Sequence, residues 1–143
     1  MSIDGLSDDE IRAILLNTGR IAVVGASANP ARPSHEVTGF LVGRGFAVTP
    51  VNPGLAGQQI HGATVAASLA EAGKLEMVDI FRRSEEAGAV VDEAIRLGAK
   101  VVWMQLGVID QAAAERARAA GVTAVMDRCP VIEWSRLGLA RGA

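Results

Sequence analysis

Apolar residues fall along this chain in two alternating rhythms. Five short runs are almost wholly apolar: "RIAVVG" (20–25), "FAVTPVNP" (46–53), "MVDIF" (77–81), "KVVWMQ" (100–105) and "VTAVMD" (122–127). Unbroken runs of this length are expected of strands buried on both faces. Between them the apolar residues recur three and four apart, which predicts helices. Ala87, Val90, Val91, Ala94 and Ile95 form one stripe within 85–98, and Val37, Phe40 and Leu41 form another. Ser7 and Glu10 make a capping box before a first helix, which Gly19 is expected to end. Ser34 and Ser84 are the expected N-caps of the next two helices. Gly98 and Gly121 are the expected stops of the helices over 85–98 and 110–121, and Pro130 opens a last helix over "PVIEWSRL". The turn-rich segment 54–69 has room for a short strand near Gln59–His61, with a helical turn after Ser68. Pro50 is expected to weaken pairing at the end of the second strand.

Strands alternating with helices of this length imply crossover units and a mostly parallel sheet. The expected architecture is α/β: a doubly wound sheet with helices on both faces, as a single domain over 1–143. In such sheets a ligand binds beyond the carboxyl ends of the strands, where strand order reverses. Five loops therefore become the candidate site: 25–34, 51–54, 81–84, 104–107 and 127–130.

Composition narrows what that site binds. Half of the 143 residues are hydrophobic and 21% are charged, as in a folded globular protein. The formal charge is −2 and no run of Lys or Arg occurs, so a nucleic-acid partner is not expected. No apolar stretch approaches the ~20 residues that span a bilayer. The acidic start, "MSIDGLSDDEIR", lacks the apolar core of a signal peptide, and Cys129 is the one cysteine. Together these features predict a cytoplasmic protein with no disulfide and no membrane partner.

Each loop has its own chemistry. Gly25, Ala26 and Ser27 are small enough for close approach of a ligand to the backbone. Ser34 begins a helix whose first amides attract an anion, and Arg32 lies just before it. This stretch reads as a phosphate cradle or as a plain strand–helix turn. It carries one glycine where a dinucleotide fingerprint has three, and the second strand ends in Val51–Asn52–Pro53 without the acidic residue that holds an NAD ribose. Asn52 can still meet a ribose or adenine edge. Arg82 and Arg83 stand at the carboxyl end of the third strand, where their forked guanidiniums suit phosphates; the alternative is pairing with Glu85 and Glu86. Phe81 offers a face to adenine. Met104 and Gln105 reach the site from the fourth loop, while Trp103 alternates into the core. Cys129 follows Arg128, a cation able to lower its pKa, but no base accompanies it in sequence. No metal-ligand spacing and no phosphate-binding G-x-x-x-x-G-K-[ST] loop occurs.

The set "VVGAS…RPS", "VNP", "DIFRRSE", "AKVVWMQLG" and "VMDRCPVIE" resembles the small bacterial CoA-binding proteins. These are stand-alone Rossmann-like domains similar to the CoA-binding domain of the succinyl-CoA synthetase α subunit. The resemblance runs from about Ile11 to Leu137. It implies that Gly25, Ala26, Ser27 and the helix start at Arg32, Pro33 and Ser34 face the pyrophosphate. It implies that Val51, Asn52 and Pro53 border the adenosine, and that Phe81, Arg82 and Arg83 flank the nucleotide. Met104 and Gln105 would lie toward the pantetheine arm. The synthetase uses a phosphorylated histidine in a second domain, for which this chain has no counterpart.

The leading expectation is a non-catalytic binder of coenzyme A or acyl-CoA, with no catalytic and no metal residue assigned. Three other readings compete with it. They are a small NADP-dependent oxidoreductase, a thiol or thioester enzyme using Cys129, and a structural protein with a vestigial pocket.

Overall fold

The computed structural model describes residues 2–140. Five strands, β1 (Arg20–Val24), β2 (Ala47–Val51), β5 (Met77–Ile80), β6 (Val101–Met104) and β7 (Thr123–Val125), form one parallel sheet in the order β2-β1-β5-β6-β7. Strand order reverses between β1 and β5, as a doubly wound sheet requires. A two-stranded antiparallel hairpin, β3 (Gln59–Ile60) and β4 (Ala63–Thr64), lies in the segment after β2. Five α-helices occur among the described residues: α1 (Asp8–Asn17), α2 (Pro33–Gly43), α3 (Ser84–Arg96), α4 (Gln111–Ala119) and α5 (Pro130–Arg136).

The sheet divides the core into two layers. Val78, Ile80, Val102 and Met104 pack with Ala87 and Val91 of α3 and Ala113 and Ala117 of α4. Ile21, Val23, Met77 and Trp103 pack with Ile11 and Leu15 of α1, Val37 and Leu41 of α2 and Trp134 of α5. Alternate residues of each strand thus serve opposite layers, and both layers are buried. No helix among the described residues is long and apolar enough to cross a membrane.

Local signals account for most boundaries. Ser7 and Glu10 form both bonds of the capping box (Ser7 N–H to Glu10 Oε1 at 3.1 Å, Glu10 N–H to Ser7 Oγ at 3.2 Å). Pro130 is the first residue of α5, and Gly98 and Gly121 follow α3 and α4 with φ of 87° and 79°.

Four expectations are corrected. α1 stops at Asn17 with an extended Thr18; Gly19 and Arg20 then donate their amides to Glu76 Oε1 at 3.2 and 2.8 Å. A distant carboxylate, not a left-handed glycine, receives the chain there. Ser34 is not the N-cap of α2: Arg32 holds that position, Pro33 opens the helix, and Ser34 is buried in its first turn. Ser84 is likewise the first residue of α3, capped by Arg83. Its hydroxyl accepts from Ile109 N–H at 2.9 Å and donates to the Gly107 carbonyl at 3.3 Å, tying α3 to the loop after β6. Pro50 does not end β2, because its carbonyl faces away from β1 and accepts from Ala66 N–H at 2.9 Å while Val51 continues the register with Val24. The missing proline N–H falls on the outer side of an edge strand, where no ladder bond is lost.

Candidate functional site

A cleft of about 1160 Å³ opens along the carboxyl ends of all five parallel strands. Its walls follow the strand order. Asn52, Gly54 and Leu55 stand at the β2 end, the 25–37 segment comes next, and Phe81, Arg82, Arg83 and Glu86 are in the middle. Gln105, Leu106 and Val108 follow, and Cys129, Val131 and Ile132 close the β7 end. Eleven of the fourteen candidate residues line it: Gly25, Ala26, Ser27, Arg32, Pro33, Ser34, Asn52, Phe81, Arg82, Arg83 and Gln105.

Val51, Pro53 and Met104 are not in the wall. Val51 is buried at the end of β2, and its carbonyl accepts from the amides of Gly25 and Ala26, both at 3.3 Å. Pro53 starts a single 3-10 turn over Pro53–Leu55. Met104 is fully buried in the layer beneath α3 and α4. Alternation with Trp103 does separate the two side chains, but this sheet is covered on both faces, so both become core.

Gly25 has φ +88°, and a Cβ there would drive into the carbonyl of Phe81. The glycine is demanded by the protein's own backbone, where β1 and β5 leave the sheet side by side. With the Gly25 and Ala26 amides spent on Val51, the loop presents other groups to an anion: the Ser27 hydroxyl, Arg32 and the opening turn of α2. Ser27 Oγ accepts from Asn29 N–H and Asn29 Oδ1 from Ala31 N–H, each at 3.0 Å, which folds the loop on itself. Arg32 is exposed and makes no ion pair among the described residues. Asn52 is committed to structure: its Nδ2 donates to the Ala26 carbonyl and its Oδ1 accepts from Gly54 N–H, both at 2.8 Å.

The paired arginines meet Glu86. Arg82 donates to one of its carboxylate oxygens at 3.1 Å and Arg83 Nε to the other at 2.8 Å, with Glu85 3.6 Å from Arg83. The hydrogen bond from Arg83 holds the Glu86 carboxyl below its ordinary range and raises the Arg83 guanidinium in turn. These groups are solvent-facing, so an arriving polyanion competes with a weak bond.

Gln105 is only 6% exposed, and its Oε1 has no hydrogen-bond partner among the described residues. Its backbone anchors the loop: its N–H donates to the Ile80 carbonyl at 3.3 Å, and its carbonyl accepts from Val108 N–H at 2.7 Å. A buried amide oxygen without a donor costs free energy, and this one belongs to a cleft-lining residue.

Cys129 is half-buried in the wall. The cation beside it in sequence is engaged elsewhere. Arg128 donates to Asp4 Oδ1 and Oδ2 at 2.9 and 2.8 Å, to Glu133 and to the Leu6 carbonyl. Hydrogen bonding to Asp4 raises its guanidinium despite burial. Burial pushes the Asp4 carboxyl up, but the bonds from Arg128, Leu6 N–H, Ser2 and Met126 N–H outweigh it and hold the group far below the carboxylate range. The two histidines, remote in sequence, meet outside the cleft wall: His61 Nε2 lies 3.2 Å from His35 Nδ1.

Sequence reasoning missed the apolar end of the cleft, built by Leu106, Val108, Val131 and Ile132, and the inward place of Glu36. The only signal was that these residues adjoin the strand ends already singled out.

The CoA-binding domain family matches residues 19–135 of the chain. An uncharacterised protein of Bacillus subtilis, YneT, is 37% identical over 124 residues, covering 86% of this chain and 90% of the relative. A solved structure of a hypothetical protein from Pyrococcus horikoshii OT3 is 36% identical with a TM-score of 0.90, each chain covered to 97%. A dinucleotide-forming acetyl-coenzyme A synthetase from Ca. Korarchaeum cryptofilum shares the fold at 21% identity and a TM-score of 0.66, over 80% of this chain and 27% of its own.

Proposed function

This chain belongs to the CoA-binding domain family, and on that premise we propose that it binds coenzyme A, free or acylated, without transforming it. The observation that carries the reading is the distribution of charge along the cleft. Arg32, Arg82 and Arg83 come from the two loops that flank the point where strand order reverses and line the cleft there with Glu36 and Glu86, while both ends of the cleft carry no charged side chain. CoA has a matching layout: phosphates between a nucleoside and a long amide-bearing arm.

Arg32, the Ser27 hydroxyl and the start of α2 would hold the pyrophosphate. Arg82 and Arg83 would leave Glu86 for the 3′-phosphate. Phe81 would bear on the adenine, and the unpaired Gln105 Oε1 would accept an N–H from the pantetheine arm. An NADP reading could use the same arginines for its phosphates but loses its ribose contact, because Asn52, the one polar candidate for a ribose, is already tied to Ala26 and Gly54.

Binding without turnover rests on where the reactive groups went. Arg128 is spent on Asp4 and Glu133 rather than on the Cys129 thiol, and His35 and His61 bond to each other outside the cleft wall. We also propose that the whole chain acts as one domain in the cytoplasm.

Calorimetric titration with CoA, NAD and NADP tests the reading. Saturable binding of CoA with no response to either nicotinamide is expected. Binding of NADP without CoA would overturn it.

A further inference from the structure

We infer that the ligand is an acyl-CoA and that its acyl group lies in a second cavity, of about 310 Å³, beyond the β7 end of the cleft. This inference rests on the CoA reading above. Three observations carry it.

The first is adjacency. Leu106, Cys129 and Ile132 line both the main cleft and the smaller cavity, so the two spaces share a wall.

The second is exposed apolar surface. Leu106 is 58% exposed, Ile132 50% and Ile3 45%, and all three border the smaller cavity with Met126, alongside the ion-paired Arg128, Glu133 and Arg136. Large aliphatic side chains left this open in one place mark a binding surface.

The third is polarity order. The phosphates are confined to the middle of the cleft by Arg32, Arg82 and Arg83. The arm that leaves them toward β6 passes Gln105, whose buried Oε1 lacks a donor. Gln105 and Cys129 each follow one residue after the backbone bond from Arg128 N–H to the Met104 carbonyl. The sulfur end of the arm therefore reaches the shared wall. What continues past it meets Leu106, Ile132 and Ile3; the arginines of the same cavity, Arg128 and Arg136, are already paired with Asp4, Glu133 and Asp8, so the cavity suits a medium-length saturated chain better than a carboxylate-bearing one. A second copy of this chain is the rival occupant of the same patch.

The test is calorimetry with CoA, acetyl-CoA, octanoyl-CoA and succinyl-CoA on the wild-type chain and on Ile3→Asp, with size-exclusion chromatography of both. Ile3 borders only the smaller cavity, so its replacement leaves CoA binding alone. Octanoyl-CoA is expected to bind at least about tenfold more tightly than CoA, given roughly 0.8 kcal/mol per buried methylene. Succinyl-CoA should gain nothing, and Ile3→Asp should abolish the octanoyl gain. Equal affinities for CoA and octanoyl-CoA on the wild-type chain would overturn the inference while leaving the CoA reading intact. An octanoyl gain that survives in a folded Ile3→Asp protein would overturn the assigned location. Self-association lost in Ile3→Asp, with no octanoyl gain in the wild type, would give the patch to a second copy. Failure of every CoA species to bind would remove the CoA reading itself, and the inference with it.

Discussion

The carbonyl oxygen of Phe81 occupies the space into which a side chain on Gly25 would point. Phe81 N–H also donates to the Val24 carbonyl at 2.9 Å, so the ends of β1 and β5 are locked together at the base of the cleft. Gly25→Ala should therefore damage the fold before it touches a ligand. The combined clash and positive φ are expected to cost about 2–3 kcal/mol. A clear drop in thermal midpoint without ligand checks this; an unchanged midpoint with lost CoA affinity would return the glycine to a ligand-contact role.

Glu86 neutralises the arginines it bridges. Glu86→Gln removes a negative charge from the cleft wall and frees both guanidiniums. CoA affinity should rise by about two- to fivefold at low salt, with the gain fading as ionic strength increases. Weaker binding would mean that Glu86 positions the arginines more than it competes for them.

Replacing both Arg82 and Arg83 by alanine should weaken CoA binding roughly tenfold to a hundredfold. Dephospho-CoA should lose less, because the 3′-phosphate is the group assigned to this pair. Equal losses in parallel titrations would move that assignment to the pyrophosphate.

Asp79 lies in β5 opposite Val23 and Trp103, and neither carboxyl oxygen has a hydrogen-bond partner among the described residues. Burial pushes its carboxyl well above the usual range. The unfolded chain ionises near pH 3.9 while the folded chain holds the proton, so stability falls as pH rises above that point, by up to about 1.4 kcal/mol per unit until the folded group ionises. Asp79→Leu should remove that fall and unfold at a higher temperature than the wild type at pH 8. Denaturation curves from pH 4 to 8 that run parallel for the two proteins would contradict this.

The Asp4–Arg128 pair carries the opposite slope. Asp4 and Glu133 are held below their ordinary values in the folded chain, so their contribution is present above about pH 4 and is lost as pH falls through their folded values. Asp4→Ala leaves a guanidinium 10% exposed without its main partner and should cost about 3–5 kcal/mol at pH 7. The deficit should shrink on acidification, as chemical denaturation at pH 7 and pH 3 would show.

The strands, the capping box at Ser7 and the helix start at Pro130 were legible in the sequence because each is written within a few residues. So were the small residues at Gly25–Ser27 and the arginines at the end of β5, since strand ends in an alternating chain must gather at one edge. Other features depend on partners far along the chain. Arg128 meets Asp4 across 124 positions, and Glu76 receives Gly19 across 57. Near Cys129 the sequence offers only Glu133 as a partner for the neighbouring cation; its main partner, Asp4, is invisible locally. Met104 marks a different limit: strand alternation assigns a side chain to one face or the other, and only the packed helices decide whether that face is open. Here α3 and α4 close it, while the apolar cleft end at Leu106 and Ile132 stays open. Which apolar residues become core and which are left for a ligand is settled by the layers that fold over them.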